Sequence, residues 1–373
     1  MTYLDANASE PLRPEARQAV IAALELGGNP ASVHAPGRQA RRSLEDARER
    51  IAMLFGADPA GLVCTSGGTE SDSLAIHALG LDRRRMVGAT EHDAVRQAAG
   101  SGADDAVQLP VLADGRLDLG ALDSALTASA MPALVCVMLA NNETGVLHPV
   151  AEAAELCRRH GARLHVDAVQ AAGRMPVSLA ALGADSMAIS AHKLGGPKGS
   201  GALLLAASVE GFHLAPLIEG GGQERGRRGG TPALPAICGF AAAVDAACRD
   251  LPDQARLARL RDRIEQAAGA IGAIVCGAGA PRLSNTTCLA LPGRRADTQL
   301  IALDLAGFAV SAGAACSSGK VGRSHVLDAM GRPELAGSAI RVSLPWDVEE
   351  AAIERFIGAY LAMHRAARVG RAA

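Results

Sequence analysis

The chain has 373 residues, which is long for one compact domain and favours two. Hydrophobic residues make up 49% of it and charged residues 20%, a balance that supports a sizeable core and excludes a disordered chain. The formal net charge of −2 gives no bulk attraction to nucleic acid or to an anionic membrane.

Two further features bear on location. Residues 1–16 carry acids and prolines where a signal peptide needs an apolar stretch. The longest apolar runs, such as residues 133–140, are far shorter than a membrane span. We therefore expect a soluble cytoplasmic protein with no membrane partner.

Apolar β-rich runs alternate with helical patterns between about residues 60 and 205, which predicts a mostly parallel sheet covered by helices. The predicted elements of this part are, in chain order, strand 61–64, helix 69–79, strand 86–89, a helix from 92, strand 133–139, helix 149–160, and strands 163–166, 186–189 and 202–205. The elements predicted beyond it are helices 232–249 and 254–268, strand 287–291, helix 297–306, strand 339–344 and helix 348–367. The change of pattern places a domain boundary near Leu251–Pro252.

Cysteine and lysine usage is informative. None of the eight cysteines forms a C-x-x-C pair, so the sequence gives little support to a zinc site or a redox dithiol. We interpret seven of the eight as buried apolar residues, which fits a reducing compartment. The chain has only three lysines, namely Lys193, Lys198 and Lys320, so a lysine at a strand end is a candidate for covalent chemistry that arginine cannot perform.

Two motifs predict a ligand site at strand ends, where open α/β sheets bind ligands. Residues 65–71, with Gly67 and Gly68, follow a strand and open a helix, which is typical of a phosphate site; an ordinary capped turn is the alternative. Asp167 ends a buried strand and could keep a pyridine nitrogen protonated; it could equally cap the next turn.

Two more motifs predict a nucleophilic chemistry. Lys193 stands just past a predicted strand, beside Ser190 and His192 and before glycines, which suits a Schiff-base lysine; an exposed loop lysine is the alternative. Cys316 lies in a run of Gly, Ala and Ser, which favours an exposed, reactive thiol over a small residue in a tight packing site.

Taken in order, the motifs SGGTES, TEHDAV, NNETG, HVDAVQ, SAHKLGGPKG, GGGQERGRRGGT and SAGAACSSG resemble those of the cysteine desulfurases, which are fold-type I pyridoxal-phosphate enzymes of the class V aminotransferase-like group. The resemblance runs nearly from end to end. It implies an α/β fold with a large domain, built on a mostly parallel seven-stranded sheet, and a smaller α+β domain. We expect residues 15–251 to form the large, cofactor-binding domain, and residues 1–14 and 252–373 the small domain with the Cys316 loop.

The resemblance also implies roles for individual residues. Lys193, Cys316 and His92 would be catalytic: Lys193 would carry pyridoxal 5'-phosphate, Cys316 would take the sulfur of L-cysteine, and His92 would stack on the ring and help move protons. The other residues implied to bind the cofactor are Gly68, Thr69, Asn142, Asp167, Gln170, Ser190, His192 and Thr231, with Thr231 coming from a second subunit of a symmetric homodimer. Asn142 and Arg341 would bind the substrate, and no metal is implied.

In the implied reaction, L-cysteine becomes L-alanine and leaves a persulfide on Cys316. An unperturbed thiol has a pKa of about 8.5, so a proton acceptor such as His92 would help to ionise it. The sulfur would pass to an acceptor or scaffold protein that serves iron–sulfur clusters or another thio-cofactor. Many relatives have Gly where Ala191 stands and Ser where Gly230 stands, so one phosphate hydrogen bond would differ, and the first residues are looser than the family pattern. The chain also ends soon after its last helix, which puts contacts with such a scaffold in doubt.

Four other functions compete with this interpretation. An aminotransferase or a selenocysteine lyase could use the same scaffold, although transamination needs no thiol. A non-catalytic protein that holds the cofactor would not need Asp167, Lys193 and Cys316 together. A dinucleotide-binding enzyme is disfavoured, because no G-x-G-x-x-G follows a predicted strand.

Overall fold

A computed structural model of the chain describes residues 1–100, 106–210, 214–313 and 322–372. Its strands are β1 (Thr2–Tyr3), β2 (Leu62–Thr65), β3 (Arg84–Gly88), β4 (Ala106–Leu109), β5 (Ala133–Met138), β6 (Arg163–Asp167), β7 (Ser186–Ser190), β8 (Gly201–Leu205), β9 (Ile274–Val275), β10 (Thr286–Ala290), β11 (Phe308–Ala309), β12 (Ser311–Ala312) and β13 (Ala339–Ser343). Its α-helices are α1 (Pro14–Leu24), α2 (Ala35–Leu54), α3 (Gly68–Leu79), α4 (Asp93–Ala98), α5 (Leu119–Ala128), α6 (Val150–Arg159), α7 (Leu179–Leu182), α8 (Ala207–Glu210), α9 (Leu234–Arg249), α10 (Gln254–Gly269), α11 (Ala296–Leu305), α12 (His325–Ala329) and α13 (Glu350–Ala372).

The larger sheet has seven strands in the order β2-β8-β7-β6-β5-β3-β4. Strand β8 runs antiparallel to both of its neighbours, and the remaining neighbours pair in parallel. Because β2 and β7 are both antiparallel to β8, they point the same way as β3, β5 and β6. The carboxyl ends of these five strands therefore meet at one edge, and the expected mostly parallel seven-stranded sheet is confirmed.

The central strand β5 shows why its sequence is apolar throughout. All six of its side chains are buried. Leu134 and Cys136 belong to the apolar cluster on one face of the sheet, whereas Val135 and Val137 belong to the cluster on the other face. Helices cover both faces, so neither set of alternating side chains meets water, as is usual for parallel sheets.

A second, antiparallel sheet has the order β12-β13-β10-β9. One of its faces packs on α10 and α13, in a core that contains Ile340, Phe356 and Tyr360. Leu4 belongs to the same core, because β1 pairs with β11 and brings the first residues of the chain to it. The division of the chain into domains at residues 14 and 251 stays a prediction.

None of the helices in the described part of the chain combines the length and the apolar character that a bilayer crossing requires.

Candidate active site

A cavity of about 250 Å³ opens at the edge where the five strand ends meet. Its wall contains residues from the loops that follow β2, β3, β5, β6 and β7, namely Gly68, Thr69, Asp72, His92, Ala94, Met138, Ala140, Asn142, Asp167, Val169, Gln170, Ser190, His192 and Lys193. The structure thus brings together every predicted cofactor-binding residue except Thr231. The sheet topology explains this, since parallel strands deliver their following loops to one edge.

One end of the cavity is suited to an anion. Helix α3 begins at Gly68, and its N-cap residue Gly67 provides no side-chain cap, so N–H groups at the helix start remain available. The buried Ser190 hydroxyl lies nearby and has no hydrogen-bond partner among the described residues. A side chain at position 68 would collide with Val169, because a Cβ there would lie 2.7 Å from its methyl group. The glycine therefore lets the backbone approach the cavity.

The capped-turn alternative accounts for only part of this segment. The Glu70 carboxylate accepts the Ser66 N–H at 2.8 Å and is held in turn by Arg228 Nε, also at 2.8 Å. This contact satisfies the Ser66 N–H, which lies just before the helix. The N–H groups of the first helical turn remain available to the cavity. A phosphate group would supply the acceptors that these donors and the Ser190 hydroxyl need.

Asp167 stands at the end of β6 with one carboxylate oxygen engaged. Its Oδ1 accepts the Val169 N–H at 2.9 Å, so Asp167 does cap the turn that follows. Burial, and after it the nearby Asp72 carboxyl, raise the pKa of Asp167 to about 7. A cation in the cavity would lower that pKa and stabilise the carboxylate, so both sequence-based interpretations of Asp167 are compatible with its position.

Behind Asp167 lies a buried chain of polar side chains that the sequence analysis did not predict. Asp72 Oδ1 lies 3.1 Å from His165 Nε2, and His165 Nδ1 lies 2.8 Å from the Ser186 hydroxyl. Burial raises the pKa of Asp72 well above its usual value and lowers the pKa of His165 to about 4. Burial therefore favours the uncharged form of each group, and His165 bridges the Asp72 carboxyl and the Ser186 hydroxyl through its two ring nitrogens.

Lys193 and His92 face each other across the cavity from two strand ends. Lys193 follows β7, and its ammonium donates to the Asn7 carbonyl at 2.5 Å. His92 caps α4 through Nδ1, which accepts the Ala94 N–H at 3.1 Å. Burial lowers the pKa of His92, so the neutral ring carries its proton on Nε2. The neutral His92 ring thus carries a proton donor, Nε2–H, and its role in accepting a thiol proton stays a prediction.

Asn7 connects the cavity to the smaller sheet, and no role was predicted for it from the sequence. Its carbonyl accepts from Gln170 Nε2 at 3.0 Å as well as from Lys193. Its side-chain amide donates to the Asn142 carbonyl at 3.1 Å and to the Thr286 hydroxyl at 3.0 Å. The departure of the first residues from the usual family pattern had drawn attention to this segment, but contacts across more than a hundred residues are not visible in a local motif.

Arg341 lies behind the cavity wall, on β13, and is almost fully buried. It donates to the Asn142 carbonyl at 3.1 Å and to Asp5 Oδ1 at 2.7 Å. Its Nε has no hydrogen-bond partner among the described residues. One side of the guanidinium is therefore occupied by Asp5, and a substrate carboxylate would have to bind the remaining donors.

Two further predicted residues are Thr231 and Cys316. Thr231 lines a separate cavity of about 160 Å³, together with Cys64, Ser66 and Gly199. Cys316 lies outside the described residues, and so does Lys320. Among the described residues, no group of three or more His, Cys, Asp or Glu side chains is arranged to hold a metal ion.

The raised pKa of Asp167 predicts how the stability of the ligand-free protein changes with pH. The folded state holds a proton on Asp167 up to about pH 7, whereas the unfolded chain releases it near pH 4, so stability falls as pH rises between these values. Asp167→Asn keeps an acceptor for Val169 and removes the buried charge. At pH 8 we expect the ligand-free variant to unfold at a higher urea concentration than the wild type. Its free energy of unfolding should be larger by up to about 4 kcal/mol, and this difference should shrink towards pH 5.

The exposed Asp262→Asn variant is the control and should match the wild type at both pH values. A ligand-free Asp167→Asn protein that is less stable than the wild type at pH 8 would contradict the assigned protonation.

Comparisons with known proteins agree with this geometry. The aminotransferase class-V family matches residues 2–356. A cysteine desulfurase of Cereibacter sphaeroides is 44% identical to the chain, covering 95% of it and 93% of the relative. An IscS-like cysteine desulfurase of Mycobacterium tuberculosis is 40% identical, with 98% of both proteins covered. The solved structure of a NifS-like protein from Rickettsia africae has a TM-score of 0.89 at 32% identity, and the alignment covers 98% of this chain and 99% of that one. The chain therefore belongs to the class-V aminotransferase family of pyridoxal-phosphate-dependent enzymes, as the resemblance in its motifs had implied.

Proposed function

We propose that this protein is a cysteine desulfurase, which converts L-cysteine to L-alanine and transfers the sulfur to the Cys316 thiol. The observation that carries the proposal is the joint placement of Lys193, Asp167 and the anion-binding start of α3 around one cavity. Full-length similarity to proteins named cysteine desulfurase supports the choice of substrate.

The described residues fit pyridoxal 5'-phosphate. The phosphate would lie at the start of α3, with Thr69, His192 and the unpartnered Ser190 hydroxyl as neighbours. Asp167 would face the ring nitrogen, Gln170 the phenolic oxygen, and Lys193 would hold the cofactor covalently. When bound, the cofactor supplies an electron-accepting ring that stabilises negative charge on the substrate's α-carbon.

The chain's own groups would handle the protons. The Lys193 amine, which the Asn7 carbonyl orients, would take the proton from the α-carbon of the substrate. The Nε2–H of His92 would then donate a proton, because its Nδ1 is engaged by the backbone of α4. Arg341 and Asn142 would bind the substrate carboxylate, with the Asp5 contact limiting how the guanidinium can turn. Cys316 would attack the substrate sulfur as a thiolate.

Product analysis tests the function. Purified protein supplied with pyridoxal phosphate, L-cysteine and a thiol reductant should release alanine and sulfide in equal amounts. A sulfur-containing keto acid with no alanine would instead indicate an aminotransferase. Turnover of selenocysteine without measurable turnover of cysteine would indicate a selenocysteine lyase.

We infer that the protein works as a symmetric homodimer. Thr231 lies outside its own chain's cavity, next to a loop that Glu224 fastens to the body of the subunit. The Glu224 carboxylate accepts from Arg48 Nη1 and Nη2 at 2.9 and 2.8 Å and from the Cys64 N–H at 2.9 Å. A rigidly held loop could present Thr231 to the phosphate of a second subunit.

Sedimentation velocity of the cofactor-loaded protein should give a single dimeric species. A monomer that retains its cofactor and full activity would exclude the role proposed for Thr231. As a matched pair, Thr231→Ala should weaken cofactor retention, whereas Thr298→Ala, on the exposed start of α11, should not.

The destination of the sulfur is the remaining part of the proposal. We propose delivery from Cys316 to a cytoplasmic acceptor or scaffold protein that serves iron–sulfur clusters or another thio-cofactor. Radioactive sulfur from labelled cysteine should pass through the enzyme to a discrete protein in a cell extract. Release of all the label as free sulfide, with no labelled protein, would argue against a dedicated acceptor.

A further inference from the structure

Two cysteines outside the cavity stand opposite each other on neighbouring strands. Strands β9 and β10 are antiparallel, and their register pairs Val275 with Leu289. The next position along this register places Cys276 opposite Cys288, and the Cys276 N–H donates to the Cys288 carbonyl at 2.9 Å. Directly opposed residues of antiparallel strands have Cα atoms about 4.5–5.5 Å apart, which falls inside the range that a disulfide requires.

The side chains of the two cysteines also meet. Both belong to one apolar cluster, under Val326 and Met330. The two sulfurs share a side-chain hydrogen bond, which lowers the pKa of Cys276 and raises that of Cys288 well above its usual value. Cys276 is the only described cysteine whose pKa is lowered; at Cys64, Cys136, Cys157, Cys238 and Cys248 burial raises it.

Access to the pair is through the edge of the sheet. Strand β9 is an edge strand of two residues, and β10 is its partner in the sheet. Cys276 directly follows β9. It stands at the start of a turn that is closed by a hydrogen bond from the Ala280 N–H to the Gly277 carbonyl. Short edge segments with few hydrogen bonds open locally at low free-energy cost, so a small oxidant can reach a thiol that is buried on average. Cys136, by contrast, lies in the central strand β5.

We propose that Cys276 and Cys288 are a thiol pair that hydrogen peroxide, or another small peroxide, converts to an intramolecular disulfide. In the first step the Cys276 thiolate attacks one peroxide oxygen, the O–O bond breaks, and Cys276 becomes a sulfenic acid while hydroxide leaves. In the second step the Cys288 sulfur attacks the Cys276 sulfur, the S–O bond breaks, and water leaves with the Cys288 proton. Two thiols are oxidised, and one peroxide is reduced to two waters.

The disulfide would lie beside the arginine proposed to bind substrate. Cys288 pairs with Arg341 across β10 and β13, and Arg341 pairs with Ser311 of β12. The four side chains therefore form one row on the same face of the small sheet, because directly opposed residues of antiparallel strands point to the same side. The crosslink would fasten the edge strand of that sheet and close the chain segment between residues 276 and 288.

Peptide mapping tests the proposal on the intact, cofactor-loaded enzyme. Trypsin places the two cysteines in separate peptides, residues 264–282 and 283–294, and neither peptide contains another cysteine. After peroxide treatment, removal of the peroxide and alkylation under denaturing conditions, we expect these two peptides to be recovered joined, with the loss of two hydrogen atoms. A thiol reductant should separate them.

The unfolding temperature provides a second measurement. Oxidised wild-type protein should unfold at a higher temperature than reduced protein, because the crosslink restricts the unfolded chain. The Cys288→Ala variant should show neither the joined peptides nor the temperature shift, and Cys276 should instead carry oxygen. The proposal is overturned if both peptides are recovered separately alkylated at a peroxide dose that oxidises the half-buried Cys238 and Cys248, or if Cys276 is joined to a different cysteine.

Discussion

Replacing Lys193 with alanine is expected to lower the rate of alanine formation from cysteine by at least about 10³-fold. The loss combines two functions of one amine, the covalent attachment of the cofactor and the removal of the α-proton; a positioned base alone contributes about 10²–10⁴-fold. In the structure the ammonium donates to the Asn7 carbonyl, at the end of β7 and close to the Asp167 turn. Steady-state assays with saturating pyridoxal phosphate measure the effect.

Lys198 provides a matched control, because it is five residues away in the same loop and its side chain does not line the cavity. Lys198→Ala should keep most of the wild-type rate. Borohydride reduction of the loaded wild-type enzyme, followed by peptide mapping, should place the cofactor on Lys193. A label on Lys198 or Lys320 would exclude the assignment.

The site could be predicted from sequence largely because its parts follow strands. Lys193, Asp167 and His92 each stand just after a run of buried β-forming residues, and parallel strands carry such positions to one edge without any knowledge of distance. The apolar run of β5 likewise predicted a buried strand, and the structure explains it through the two clusters that its side chains enter alternately.

Helix α2 shows a signal that was present and not used. Its buried positions include Ala40, Leu44, Ala47 and Ile51, at spacings of three and four residues, and they form one stripe along the helix. Charged side chains occupy the opposite, exposed face, so the helix is amphipathic and its period is present in the sequence. The sequence analysis predicted no element in this part of the chain.

Contacts between distant segments could not be predicted in this way. His165 and Asp72 are 93 residues apart, and Asp5 and Arg341 are 336 residues apart. No signal in the neighbouring sequence distinguishes a buried histidine that pairs with a carboxyl from one that packs against apolar side chains only. The Cys276–Cys288 pair is similar, because only the strand register brings the two thiols opposite each other. Of the seven cysteines expected to be buried, five are buried, whereas Cys238 and Cys248 are half-buried.

The ends of the segment that contains Cys316 converge on the loop after β5. Gly313 approaches Glu143 so closely that an added Cβ would lie 3.0 Å from Glu143 Oε2, and the Ser324 hydroxyl donates to that same oxygen at 2.5 Å. Glu143 follows Asn142, which lines the cavity. Gly313, which precedes positions 314–321, and Ser324, which stands three residues after them, thus both contact the residue next to Asn142, which supports the proposed delivery of the Cys316 thiol to the substrate.

Cys316→Ala is accordingly expected to lower the release of sulfide and alanine from cysteine by at least about 10³-fold, because loss of a nucleophile removes the step that breaks the carbon–sulfur bond. Cofactor retention should be unchanged, since the described residues that line the cavity are all kept in this variant. Cysteine should still perturb the absorbance of the bound cofactor, because Lys193, Asp167 and Arg341 are intact. Stopped-flow absorbance and product assays on the same preparation separate binding from sulfur transfer.

Cys238→Ala is the matched control, because this half-buried thiol on α9 is remote from the cavity and its loss removes a cysteine without touching the site. It should retain the wild-type rate and still form a persulfide, whereas Cys316→Ala should form none. A Cys316→Ala protein that desulfurates cysteine at the wild-type rate would remove both the proposed nucleophile and the desulfurase assignment. A variant that has lost its cofactor as well would show that residue 316 contributes to the cavity, and Cys316→Ser, which keeps the size of the side chain, would then test the loss of the nucleophile.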